Sequence, residues 1–286
     1  MKGRDFLNDK LVKYDTELNT IPLRRFTPVE MNLFFSIVSS VRDKDTQVVR
    51  LSFRELKDLS DYKMTAIKKF ISDLESTYDK LMDLRFSKRS KTGLTVEKFV
   101  MFTRFKIDGD AEEPYVDVQV HDMAIPLLNN LESWVQYSLA EFRHLKSGYS
   151  KTMFRLLKQF RTTGWAEFSV DDFRELLDIP KSYRQTHITT RVLSPIEEEL
   201  PTFFKDFKIE KKYGRGRGTP VIGYRFTWTP ETTGTWIEDK YKKDKKKKEI
   251  VPNWITDPVK NDDTLSEEAQ EEVRKNLERI KKLKEK

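Results

Sequence analysis

Two eight-residue stretches decide the fold: Ser52-Phe53-Arg54-Glu55-Leu56-Lys57-Asp58-Leu59 and Ser169-Val170-Asp171-Asp172-Phe173-Arg174-Glu175-Leu176. Both follow one pattern: Ser, apolar, any residue, acid, apolar, base, acid, Leu. Each opens a helix with a capping box, in which the serine hydroxyl accepts an amide and the acid three residues on, Glu55 or Asp172, reaches back. Val49 and Leu51 precede the first copy and Ala166 and Phe168 the second, so a short strand leads into each helix.

The surroundings of the copies match as well. Thr27-Pro28 reads as N-cap and first residue of a helix over 27–40, with Met31, Phe34, Phe35 and Val38 on its inner face. Ahead of the second copy, 150–161 reads as a helix capped by Ser150. Its stripe is Phe154, Leu157 and Phe160, flanked by Met153 and Leu156. Behind the copies, Ile67, Ile71 and Leu74 fall at helical spacing, as do Ile188, Val192 and Ile196. Each unit then ends in a hairpin. The first is expected over Leu84–Phe86, a turn from Ser87 to Gly93, and Phe99 to Phe105. The second is expected over Phe207–Ile209, a turn from Tyr213 to Thr219, and Val221 to Trp228.

Helix, strand, short helix, turn, second helix and hairpin is the order of a winged helix. The chain therefore reads as α+β and helix-rich. It has two tandem winged-helix domains, each a helix-turn-helix plus a β-hairpin wing, and a C-terminal helical tail. The expected boundaries are 1–135, 136–232 and 233–286.

Charge separates the two units. Of the 286 residues, 54 are Lys or Arg and 47 Asp or Glu. Residues 1–135 hold 22 basic and 22 acidic side chains, whereas 136–235 hold 17 and 12. Within the second unit, 181–217 carries nine bases against five acids. A concentrated positive field attracts phosphate backbones.

Other classes of function are excluded. There is no cysteine, so no disulfide scaffold, thiol chemistry or cysteine-ligated zinc; this fits a reducing cytosol. The three histidines, His121, His144 and His187, are too scattered for a histidine-built metal site. No histidine pair exists for a nicking initiator. Gly148-Tyr149-Ser150-Lys151-Thr152 lacks the glycine spacing of a phosphate loop. The acidic loop Asp108–Glu113 matches no calcium-loop spacing and reads as a solvated turn. No apolar run approaches the roughly 20 residues of a membrane helix, and the first ten residues hold no apolar signal core. A cytoplasmic protein without enzymatic activity, cofactor, metal or membrane association is expected.

The most specific stretch of the chain is 137–200. It contains Tyr137-Ser138-Leu139-Ala140-Glu141-Phe142, Leu145-Lys146-Ser147-Gly148-Tyr149-Ser150-Lys151-Thr152 and Phe154-Arg155-Leu156-Leu157-Lys158. It continues with Phe168 through Leu177, Tyr183, and Arg191-Val192-Leu193-Ser194-Pro195-Ile196-Glu197-Glu198-Glu199. Together with the opening Asn8 to Phe35, it resembles the RepB-type initiators of theta-replicating, iteron-containing plasmids, over about residues 8 to 230. The chain departs from that pattern at Glu199-Leu200-Pro201, where an Ile-Asn pair is expected. The resemblance implies tandem winged helices that bind direct repeats (iterons) of double-stranded origin DNA. It implies that the C-terminal domain is the main reader and that monomers help to open an AT-rich segment and recruit the host initiator and helicase. It also implies dimers that form through the N-terminal domain and repress the protein's own gene. A winged-helix transcription regulator is the alternative, since the fold serves both roles.

With Ile188, Val192 and Ile196 inward, the opposite face of helix 183–200 carries Tyr183, Thr186, His187, Thr190 and Ser194. Thr186, His187, Thr190 and Arg191 are expected at base edges, with Lys181, Ser182, Tyr183 and Arg184 nearer the backbone. Pro195 should kink or end the regular helix. The wing tip contributes Lys211, Lys212, Arg215 and Arg217, interleaved with glycine. In the first unit, Lys63, Thr65, Lys68 and Lys69 begin the corresponding helix, and Lys88, Arg89 and Lys91 lie in its hairpin. These are the auxiliary DNA contacts. Residues 240–249 read as a basic linker. Thr264 to Glu267 reads as a capping box opening an amphipathic helix with Leu265, Ala269, Val273, Leu277 and Ile280 as its stripe.

Replacing Arg215 and Arg217 with Ala should weaken binding to duplex DNA and flatten its salt dependence. Each lost phosphate contact lowers the slope of log K against log salt by about 0.9. Filter binding across a salt series reads this, and an unchanged slope excludes the wing from the contact.

Overall fold

The computed structural model describes residues 10–232 except Arg24, Met64, Thr65, Arg85, Lys91, Gly93, Asn130, Glu132, Gly216 and Arg217. The basic linker and helical tail expected over 233–286 lie outside the described residues.

The first winged helix begins with strand β1 (Leu11–Asp15) and helix α1 (Pro28–Val41). Thr27 caps α1 as expected, and Glu30 completes the box by accepting the Thr27 amide at 2.7 Å. The helix buries more than one stripe, because Leu33, Ile37 and Val41 are inside along with Met31, Phe34, Phe35 and Val38. It is covered on several sides, which is what burial around most of a helix requires. Strand β2 (Val49–Ser52) then leads into α2 (Phe53–Ser60), where the Ser52 hydroxyl accepts the Glu55 amide. The Glu55 carboxylate pairs with Lys10 instead of reaching back. Helix α3 (Ile67–Asp83) follows.

A similar order of elements follows further along the chain. Strand β7 (Trp134–Ser138) pairs antiparallel with β1, bringing Tyr14 and Val135 into one register. Helices α4 (Leu139–His144) and α5 (Gly148–Lys158) come next, then β8 (Trp165–Ser169) and α6 (Val170–Leu176). Ser147, not Ser150, caps α5, so the helix starts and ends earlier than 150–161. Ser150 is fully buried and cannot sit at a solvated helix end. At the second copy of the motif, the Ser169 hydroxyl accepts the Asp172 amide and donates to the Asp172 carboxylate. The repeat runs further than the eight residues: nine positions beyond each serine, Asp61 and Asp178 turn the chain at φ 53° and 51°. Aspartate tolerates this left-handed conformation better than most residues.

The sheets show where the wings are. In the second unit, β9 (Lys208–Tyr213) and β10 (Val221–Thr227) form the expected hairpin, in the order β8-β10-β9. Gly223 of β10 pairs with Ser169 of β8, and a Cβ there would stand 2.8 Å from the Phe168 carbonyl oxygen. The matching sheet of the first unit is β2-β6-β5, with β5 (Phe102–Asp108) and β6 (Tyr115–Val120). The first wing is therefore 102–120, not the hairpin expected from Leu84 to Phe105. That earlier segment forms a separate ladder of β3 (Phe86–Arg89) with β4 (Val96–Phe99). The break at Val100-Met101 carries neither Gly nor Pro, so the apolar pattern runs through it without a mark.

Helix α3 is also rotated from its expected face. Phe70, Leu74, Thr77 and Leu81 are buried, while Ile67 is 43% exposed. Phe70 takes the core position because it packs edge-on against Phe53 and Tyr62, at 5.0 and 4.7 Å.

Helix α5 is buried on all sides and carries three cations into the interior: Lys151, Arg155 and Lys158. The Lys151 ammonium donates to Asn32 Oδ1 at 2.7 Å and to the Phe142 carbonyl at 2.6 Å. Arg155 donates to the Tyr14 hydroxyl and the Leu18 carbonyl, with its guanidinium 4.7 Å from the Phe35 ring centre. Lys158 pairs with Glu231 at 2.6 Å and Glu141 at 3.5 Å. Asn32 and Phe35 belong to α1 and Tyr14 to β1, so the row fastens α5 to the N-terminal part of the chain.

Burial pushes the Lys151 amine down to about 7 from its ordinary 10.5, partly offset by Glu199. Between those values the unfolded chain binds more protons than the fold. Stability contributed by this group is therefore lowest below about pH 7 and rises toward pH 10.5, by up to about 1.4 kcal/mol per pH unit. Urea unfolding across this window should show the rise in the natural chain and its loss in Lys151→Met.

Candidate nucleic-acid interface

The second helix of the second winged helix is one run with an irregular middle. It consists of α7 (Gln185–His187), a π-helical stretch Ile188–Leu193, and α8 (Ser194–Glu199). Ile188, Val192 and Ile196 are fully buried, as their spacing predicts. The helical run continues past Pro195, but its regular α geometry gives way to the π-helical stretch just before it. The proline stands at the start of α8, directly after the π turn. A proline ring clashes with the carbonyl one turn back and lacks the amide to bond it, and the wider π turn accommodates both faults.

The exposed face is held from beneath. Arg174 of α6 donates to the Tyr183 carbonyl at 2.7 Å, fixing the turn that precedes the helix. Gln185 Nε2 donates to the Tyr224 hydroxyl of β10 at 2.7 Å, and burial raises the affinity of that phenol for its proton. His187 Nδ1 accepts the Arg184 amide at 3.3 Å, closing the first turn. Its ring meets Tyr183 edge-on at 5.6 Å, and the Arg191 guanidinium lies 5.4 Å from the centre of the same Tyr183 ring. At the far end, the Glu199 carboxylate accepts the Lys146 and Ser147 amides, at 2.9 and 3.2 Å, at the start of α5. A carboxylate at a helix N-terminus is favoured by the unpaired amides and dipole there. This is the position where the chain departs from the pattern it resembles.

The expected contact residues separate into groups. Lys181, Ser182, Arg184, Thr186, Thr190 and Arg191 are exposed, and Tyr183 and His187 are half-buried beside them. These eight form one continuous surface at the start of the helix. The Thr190 hydroxyl donates back to the Thr186 carbonyl, so it is left as an acceptor. Lys211 reaches from β9 to Thr189 Oγ1 at 3.2 Å and joins this surface. Lys212 does not, because the alternation of β9 turns it to the outer face of the sheet, where it pairs with Glu167 at 2.5 Å. Arg215 is exposed at the wing tip, and Arg217 lies outside the described residues. Sequence reasoning missed Gln185, Thr189 and Glu199, whose roles depend on partners distant along the chain.

In the first unit, Lys63 pairs with Asp61 and Lys69 with Asp73, and Lys68 is exposed. Thr65 and Lys91 lie outside the described residues. Lys88 and Arg89 sit on β3, so they belong to the extra ladder and not to the wing. The true first wing turns through Asp110, Glu112 and Glu113, all exposed. Among the described residues, no cluster of three His, Asp or Glu side chains is placed to hold a metal ion. No helix among them is long and apolar enough to cross a membrane.

Replacing Arg191 with Ala should cost about 1–3 kcal/mol of specific DNA binding and relax base preference. Lys212→Ala, which removes a cation already paired on the outer face, should change specific binding by less than about 1 kcal/mol. Competition binding with matched and mismatched duplexes separates the two, and equal losses would refute this placement.

Comparison with known proteins agrees with this architecture. A family model described as "Initiator Replication protein, WH1" matches residues 11–158, and one described as "Initiator Rep protein, WH2" matches 169–228. A "Probable replication protein rep" of Bifidobacterium longum (strain NCC 2705) is 32% identical over 230 residues, covering 79% of this chain and 75% of that one. Among solved structures, the Pi initiator protein in complex with iteron DNA superposes with a TM-score of 0.59 at 14% identity. The match covers 78% of this chain and 98% of that one, a likeness of fold. The matches to both models, with the Bifidobacterium longum relative at 32% identity, place this chain in the initiator replication protein family.

Proposed function

We propose that the chain starts plasmid replication by binding direct repeats at the origin as double-stranded DNA. The observation that carries this reading is the continuous surface from Lys181 to Arg191, backed by Lys211 and flanked by the Arg215 tip. A helix start with exposed hydroxyl and guanidinium groups and a half-buried imidazole beside a basic wing suits major-groove reading with backbone contact. The structural neighbour was captured on iteron DNA, which supports the same ligand here.

In this reading, residues 136–232 are the main reader, and 1–135 provide pairing between copies and auxiliary contact. The tail, 233–286, adds nonspecific affinity. The bound protein helps to open the origin and recruits the host initiator and helicase in the cytoplasm. As a dimer it represses its own gene. No step is enzymatic, since the work is done by binding energy alone.

The test has two arms. Footprinting on DNA flanking the gene should protect several direct repeats, whereas a single protected palindrome would indicate a transcription regulator. The gene with those repeats should sustain a plasmid that otherwise cannot replicate, and failure to do so would refute the initiator reading.

A further inference from the structure

The slot between long helix and wing is built twice in this chain, once rimmed mainly by hydroxyls and once by carboxylates. In the second winged helix it measures about 380 Å³ and presents the hydroxyls of Thr189, Thr190 and Ser194 with one cation, Lys211, and one carboxylate, Glu197. In the first it lies between α3 and β5 and measures about 650 Å³. Its floor is apolar: Ile67, Ile71 and Tyr78 come from α3, and Phe105 and Ile107 from β5. Tyr78 and Phe105 stack with ring centres 4.4 Å apart. Gly109 closes one end, where a Cβ would stand 2.7 Å from Ile71 Cδ1. The rim is acidic, with Glu75, Asp79 and Asp110 against the single cation Lys68. Those three carboxylates are exposed and make no ion pair among the described residues. Glu112 and Glu113 extend the same sign along the wing tip.

This chemistry repels a phosphate backbone and leaves a large isoleucine in water. We propose that the slot holds an amphipathic helix of a protein partner, apolar on one face and rich in Lys or Arg along its flanks. Ile67, Ile71, Glu75 and Asp79 recur every four residues, forming one stripe of α3 about 18 Å long. That length takes about three turns of a second helix, whose apolar anchors meet Ile67, Ile71 and Phe105 while its flanking cations meet the rim. Apolar anchors supply the affinity in such grooves, and the charged rim selects the partner. The inference rests on the proposed function only in leaving DNA reading to the second winged helix.

The test uses the full chain and a fluorescent Leu/Lys peptide of helical pattern, followed by anisotropy. A Leu/Glu peptide of the same pattern and a Ser/Lys peptide of the same charge serve as controls. The Leu/Lys peptide should bind and both controls should not. Glu75→Lys combined with Asp79→Lys, and separately Ile67→Ser, should each weaken binding by more than about tenfold. Both variants lie on the exposed surface and should keep repeat-DNA binding intact. The proposal is overturned if the natural chain ignores the Leu/Lys peptide, if the Ser/Lys peptide binds equally well, or if Ile67→Ser binds unchanged. Displacement of the peptide by repeat DNA would also overturn it. A chain that binds the peptide as described but no repeat DNA would keep this slot and lose the initiator reading.

Discussion

Three cations buried along α5 hold the described part of the molecule together. Taking Lys151, Arg155 and Lys158 out of water costs several kcal/mol each, and only well-placed acceptors offset that cost. The acceptors come from far along the chain: Tyr14, Leu18 and Asn32 on one side, Glu141 and Glu231 on the other. An apolar seam would accept many registers of α5 against α1, whereas a guanidinium that must reach the Tyr14 hydroxyl and the Leu18 carbonyl accepts few. The row therefore specifies how α5 seats. It also changes what the charge count means, because three of the bases that gave the second unit its excess face inward and add little to its outer field.

Local physics made much of this fold readable in the sequence. The serine caps at Ser52 and Ser169, the Thr27-Pro28 start and the Ile188, Val192, Ile196 stripe each depend on residues within a turn or two of one another. What escaped depends on distant partners. Ile67, Ile71 and Leu74 have helical spacing, but the aromatic contacts of Phe70 decide which face turns inward. The first wing was displaced because nothing between Phe99 and Phe102 interrupts the apolar run, and only pairing of β6 with β2 identifies 102–120 as the wing. Spacing alone placed Thr186, His187, Thr190 and Arg191 away from the buried face of Ile188, Val192 and Ile196. It could not show that Lys212 faces away from them, since that follows from the register of β9 on β10.

The two winged helices share a scaffold and differ at its tips. The motif serine, the aspartate nine residues on and the strand order recur in both. The second wing tip presents Arg215 and the first Asp110, Glu112 and Glu113, so the two units differ in the sign of charge at their tips.

The Glu199 clamp joins these themes. One carboxylate ends the exposed helix, caps α5 through two amides, and contributes to the field felt by the Lys151 amine four residues further into α5. The side chain that closes the exposed helix thus also sets where α5 begins and counters part of the burial that lowers the Lys151 amine.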